Sequence, residues 1–121
     1  MAISRILVVD DSPTERFFLS ELLVKNGYLV SMAESGEEAV AQARQTLPDL
    51  IVMDVVMPGM NGYQATRMIS KEDATKHIPV IMCTTKGQET DKVWGIRQGA
   101  KAYLVKPVKP EELLSQIKAL G

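Results

Sequence analysis

Four short stretches of this 121-residue chain are continuously apolar: ILVV (6–9), LIVM (50–53), VIMC (80–83) and AYLV (102–105). Continuous runs of this length, rich in Val, Ile and Leu, are how strands read when both faces of a sheet are covered. A half-solvated antiparallel sheet would alternate instead. A fifth run, YLVSMA (28–33), carries a serine and suits an edge strand. A parallel sheet needs a crossover between successive strands, so the chain must supply helices in the gaps.

The gaps read as helices. Ser12-Pro13-Thr14-Glu15 has the form of a capping box with proline at the first helical position, and Gly27 marks the stop. Phe17, Phe18, Leu22 and Leu23 are taken as its apolar positions. Ser35-Gly36-Glu37-Glu38 repeats the capping form, with Ala39, Val40, Ala43 and Leu47 as the apolar face. A third helix runs from Tyr63 to about Lys71, after Asn61-Gly62. A fourth covers 88–98 and closes at Gly99. Pro110 opens a fifth, with Leu113, Leu114, Ile117 and Leu120 on one side. Five β-α repeats with right-handed crossovers predict an α/β, flavodoxin-like doubly wound five-stranded parallel sheet, strand order 2-1-3-4-5, with five helices. The length fits a single domain over residues 1–121, with no output domain expected.

Each buried run ends in a polar residue. Asp10 and Asp11 follow ILVV, Asp54 follows LIVM, Thr84 and Thr85 follow VIMC, and Lys106 follows AYLV. Ligands of open α/β sheets bind at this carboxyl edge. The three acids are hard oxygen donors suited to Mg²⁺, which takes few carboxylates and keeps other positions for water and phosphate oxygens. Lys106 and Thr84 offer a charge and a hydroxyl to phosphoryl oxygens. A carboxylate held among such groups is a nucleophile toward phosphorus, and the product is an aspartyl phosphate.

Composition narrows the partners. Net charge is −1, which argues against nucleic acid or an anionic membrane as a whole-surface partner. No run approaches the ~20 residues of a membrane span, and MAISRILVVDD lacks a signal-peptide core. The lone Cys83 makes no internal disulfide. A cytoplasmic protein, probing no membrane, is the expectation. Cys83 reads as a small hydrophobe, His77 receives no role, and Met57 and Met60 sit in a loop beside the acids where a partner could touch them.

VVDDS, LIVMDVVMPGMNG, VIMCTT and YLVKP together resemble the response-regulator receiver domain, over essentially the whole chain. The spacings fit: 43 residues from Asp11 to Asp54, 30 to Thr84 and 22 to Lys106. The resemblance implies that Asp54 accepts a phosphoryl group from a histidine kinase. It implies one Mg²⁺ held by Asp11, Asp10, Asp54 and the backbone carbonyl of Val56. Thr84 and Lys106 would bind phosphoryl oxygens. Thr84 and Tyr103 would act as the switch, Tyr103 turning inward and remodelling the face of the fourth helix, fifth strand and fifth helix. A cis Lys106-Pro107 bond is implied too. Val56 and Lys86 occupy positions that tune autodephosphorylation in the family, and Trp94 is a candidate partner anchor.

DDSPTE, VMPGMNGYQATR and TTKGQETDKVWGIRQGA further resemble the stand-alone regulators of twitching motility, which belong to chemotaxis-like systems controlling type IV pili. That implies a monomeric switch: not an enzyme acting on other substrates, driven by a chemotaxis-type histidine kinase, with an unknown output protein. A phosphate sink for the kinase, or a regulator of another motility system, are the alternatives. A haloacid dehalogenase-type phosphatase needs a second acid two residues after its nucleophile, where this chain has Val56. A flavodoxin needs a phosphate loop rich in Ser, Thr and Gly where this chain has DDSPTE.

Overall fold

The computed structural model describes residues 2–121. Its elements alternate without exception: β1 (Arg5–Val9), α1 (Pro13–Lys25), β2 (Leu29–Ala33), α2 (Gly36–Thr46), β3 (Leu50–Met53), α3 (Gly62–Lys71), β4 (Val80–Thr84), α4 (Glu89–Gln98), β5 (Ala102–Val105) and α5 (Pro110–Leu120). All strands are parallel, in the order β2-β1-β3-β4-β5. The serine-bearing strand β2 is at the edge and largely exposed, whereas every residue of β3 and β4 is buried.

Alternate residues of each central strand feed two cores. Leu7, Val9, Ile51 and Met53 pack with Ala39, Val40, Ala65 and Ile69 of α2 and α3. Ile6, Val8, Leu50, Val52, Ile81 and Cys83 pack with Leu19, Leu23, Leu113 and Ile117 of α1 and α5. Helices on both faces explain why the strand runs are continuous rather than alternating. A small third cluster joins Val55, Met82 and Ala100 to Tyr63 and Tyr103 beside α4.

Three expected packing positions fall elsewhere. Phe17 and Phe18 are exposed, and Leu19 with Leu23 forms the buried stripe of α1. Phe17 and Val24, two turns apart, share the outward face. Leu47 does not extend the face of α2. It caps that helix in the left-handed region at φ 45°, exposed, with its carbonyl accepting from the Arg5 guanidinium at 2.7 Å. Met57 is buried in the core, and the partly buried Met60 packs against it.

Candidate functional site

Sheet register builds the site. Val9 pairs with both Ala33 and Met53, so β1 and β3 end level, and the Asp54 amide donates to the Val9 carbonyl at 2.9 Å. Thr84 pairs with Val105, and the Lys106 amide donates to the Thr84 carbonyl at 2.9 Å. Four strand ends therefore deliver Asp10, Asp54, Thr84 and Lys106 to one edge. The Lys106-Pro107 bond is cis, as the sequence resemblance implied.

Asp10, Asp11 and Asp54 each present a carboxylate oxygen, all lying within 4.8 Å of one another. Asp10 and Asp54 are buried, and Asp11 is exposed at the mouth. Asp10 is fully engaged: its Oδ1 accepts the Ser12 amide at 2.9 Å and its Oδ2 accepts Lys106 Nζ at 2.7 Å. Asp54 Oδ1 accepts its neighbour's amide, Val55 N, at 2.8 Å, while Oδ2 stands 3.8 Å from Lys106 Nζ. One ammonium thus faces two of the three clustered acids, Asp10 and Asp54. Burial, then the charge of Asp10, holds the Asp54 carboxyl above its ordinary range, although Lys106 pulls the other way. Burial works against the charge of Lys106, but the bond to Asp10 and the neighbouring carboxylates hold its ammonium above the usual lysine range. Crowded oxygen donors in excess over cations fit a small divalent ion, and their hardness fits Mg²⁺.

Two residues near the site escaped the sequence reading. Glu15 has the position of a capping-box acid, yet the Ser12 amide goes to Asp10 instead. The Glu15 carboxylate turns to Lys106 at 3.8 Å. Arg16 donates to the Asp10 carbonyl at 2.6 Å and pins the loop that carries the acidic pair. Both depend on contacts between the start of α1 and other strand ends, which spacing along one helix does not reveal.

Thr84 is fully buried, and its hydroxyl accepts the Lys86 amide at 3.3 Å. Tyr103 is half-buried with its hydroxyl donating to the Lys86 carbonyl at 2.7 Å. Its ring already lies packed inward in this structure. Val56 is exposed, and a shallow groove of about 300 Å³ separates it from Lys86, with Met57, Asn61 and Tyr63 among its walls. Trp94 stands half-exposed on α4. Cys83 is buried, and burial pushes its thiol up to about 12, which makes it an inert packing group.

The geometry has close counterparts. The family profile described as response regulator receiver domain matches residues 6–118. Protein PilH of Pseudomonas aeruginosa is 58% identical over 117 residues, 97% of this chain and 97% of that protein. The chemotaxis protein CheY4 of Vibrio cholerae superposes with a TM-score of 0.91 at 36% identity, covering 99% of this chain and 100% of that one. The receiver domain of the Pseudomonas aeruginosa sensor histidine kinase PA1611 has magnesium coordinated in its active-site cleft. It superposes with a TM-score of 0.90 at 31% identity over 98% of each chain. The chain also spans about half the length of several longer curated regulators that it matches.

Proposed function

The chain belongs to the response regulator receiver domain family, and on that premise we propose that it is a single-domain phosphorylation switch whose acceptor is Asp54. The observation that carries this is the convergence at one sheet edge of a buried acid, a second and third acid within 4.8 Å of it, and one ammonium within 3.8 Å. In the transfer, the N–P bond of a kinase phosphohistidine breaks as a bond forms between phosphorus and an Asp54 oxygen. Asp54 Oδ2 faces the Lys106 ammonium, which stands ready to follow a phosphoryl oxygen. Thr84, at the end of β4, offers its hydroxyl to another.

The carboxylates of Asp10, Asp11 and Asp54, with the Val56 carbonyl, are the proposed holders of one Mg²⁺. The ion supplies neutralisation of charge on the transferring group when bound. Asp10, already committed to Ser12 and Lys106, fits the role of orienting the site, and exposed Asp11 fits the more direct ligand. The likeness to PilH and to the chemotaxis protein CheY4 supports a chemotaxis-type histidine kinase as donor and control of type IV pilus twitching motility as the setting. The output is protein binding by a monomer, through the face of α4, β5 and α5 that Thr84 and Tyr103 switch. No helix among the described residues is long and apolar enough to cross a membrane, in keeping with action in the cytoplasm.

The test is phosphotransfer from a purified, radiolabelled chemotaxis-type kinase of a twitching-motility system. Label should move to the wild-type chain within seconds to minutes and not to Asp54→Asn. Kinases outside that class should transfer far more slowly. Equal transfer from every kinase tried would contradict the assignment to this signalling class.

A further inference from the structure

Tyr63, the second residue of α3, has no part in the switch described so far. Its hydroxyl donates to the Asp91 carbonyl in the first turn of α4 at 3.1 Å, and lies 3.4 Å from the Tyr103 hydroxyl. A phenol carries one proton. That of Tyr103 goes to the Lys86 carbonyl at 2.7 Å, and that of Tyr63 goes to Asp91. The two oxygens therefore meet with both protons already placed. Each tyrosine ties down a different end of the segment from Lys86 to Asp91: Tyr103 from β5, Tyr63 from α3.

Both ties lead back to the sheet edge that carries Asp54. Along one, Thr84 at the sheet edge accepts the Lys86 amide, and the Lys86 carbonyl holds Tyr103. The Tyr103 ring then presses on α4 at Gly95, where a Cβ would stand 2.7 Å from it. Along the other, Gly62 starts α3 directly against the Asp54 backbone. Its amide donates to the Val55 carbonyl at 2.9 Å, and a Cβ there would stand 2.0 Å from the Asp54 carbonyl oxygen. Contact that close transmits displacement, because a packed interior has no slack to absorb it. Tyr63 is the next residue, and it reaches α4 one turn before Gly95.

We propose that Tyr63 is a positioning residue of the switch, its hydroxyl coupling the backbone of the phosphoacceptor loop to the first turn of α4 in parallel with Thr84 and Tyr103. This rests on Asp54 being the acceptor. Phosphorylation that shifts the Asp54 backbone moves α3, and Tyr63 carries the shift to α4. Loss of the hydroxyl leaves the Tyr103 route alone.

The experiment compares wild type with Tyr63→Phe, which keeps the ring in its cluster and removes only the donor. Amide hydrogen exchange is followed with and without a small phosphodonor and Mg²⁺, and intact mass records the adduct. Without phosphodonor, the amides of 92–95 should exchange about fivefold faster in Tyr63→Phe, as for one lost hydrogen bond, while β1 and β3 stay unchanged. With phosphodonor, the variant should take up the same adduct, and the change in α4 exchange on phosphorylation should fall to half or less of the wild-type change. Unaltered α4 exchange in the unmodified variant, or a full wild-type response in the phosphorylated one, overturns the role of Tyr63. A wild-type protein that takes no adduct overturns the acceptor reading instead, and the exchange of the unmodified proteins still decides whether Tyr63 restrains α4.

Discussion

Lys106 is the hinge of the site's electrostatics. It lies 2.7 Å from Asp10, which is 1% exposed, and 3.8 Å from both Asp54 and Glu15. Removing it strands a buried carboxylate, so Lys106→Met should lower unfolding free energy by about 3 kcal/mol in urea titrations. Asp54 behaves in the opposite sense. Its carboxyl titrates above the ordinary range because burial and Asp10 disfavour the anion. The native state therefore binds more protons than the unfolded chain between the unfolded value, near ~4, and the raised native one. Stability from this group falls as pH rises through that window and stays reduced above it. Asp54→Asn should accordingly stabilise the metal-free protein at neutral pH, and the gain should shrink as the buffer approaches pH ~4. Asp10, Asp11, Asp54, Thr84 and Lys106 could be read along the chain because each lies at the end of an apolar strand or within two residues of it. Glu15, Arg16 and Tyr63 could not, since each takes its role from a partner on another element.

At the scale of elements, α1 shows what periodicity resolves and what it leaves open. Five apolar residues crowd positions 17 to 23, and only the set Leu19, Leu22 and Leu23 has the spacing that keeps one face to the sheet. The phenylalanines look like better core residues by size, but they fall on the other side. Leu19→Ala should cost 2–5 kcal/mol of stability by the usual large-to-small range, about 3 here, while Phe17→Ser should change it by less than about 0.5 kcal/mol. The end of α2 offers a sharper case. Leu47 holds a left-handed conformation that suits glycine, immediately before Pro48. Leu47→Gly should raise stability by up to about 1 kcal/mol in the same titration. Its local sequence gives no left-handed signal, because the Arg5 guanidinium that holds its carbonyl comes from another strand. The strands were far easier to read, since burial on both faces leaves an unbroken apolar run in β3 and β4.

Across the whole molecule, the doubly wound order places β3 at the centre of the sheet with β1 beside it, and their level ends set the three acids together. A site with three acids and one close ammonium is poised to bind a divalent cation that the unfolded chain cannot. Millimolar Mg²⁺ should raise the melting temperature by a few °C, and Asp11→Asn should remove most of that gain. The central claim is that this edge makes Asp54 an acceptor of phosphoryl groups. Intact-mass spectrometry of the wild-type chain and Asp54→Asn, each incubated with a small-molecule phosphodonor with and without Mg²⁺, tests it most directly. One phosphoryl group should appear on the wild-type chain when Mg²⁺ is present, and none on Asp54→Asn. An unmodified wild-type chain under those conditions, or an equal adduct on Asp54→Asn, would contradict it.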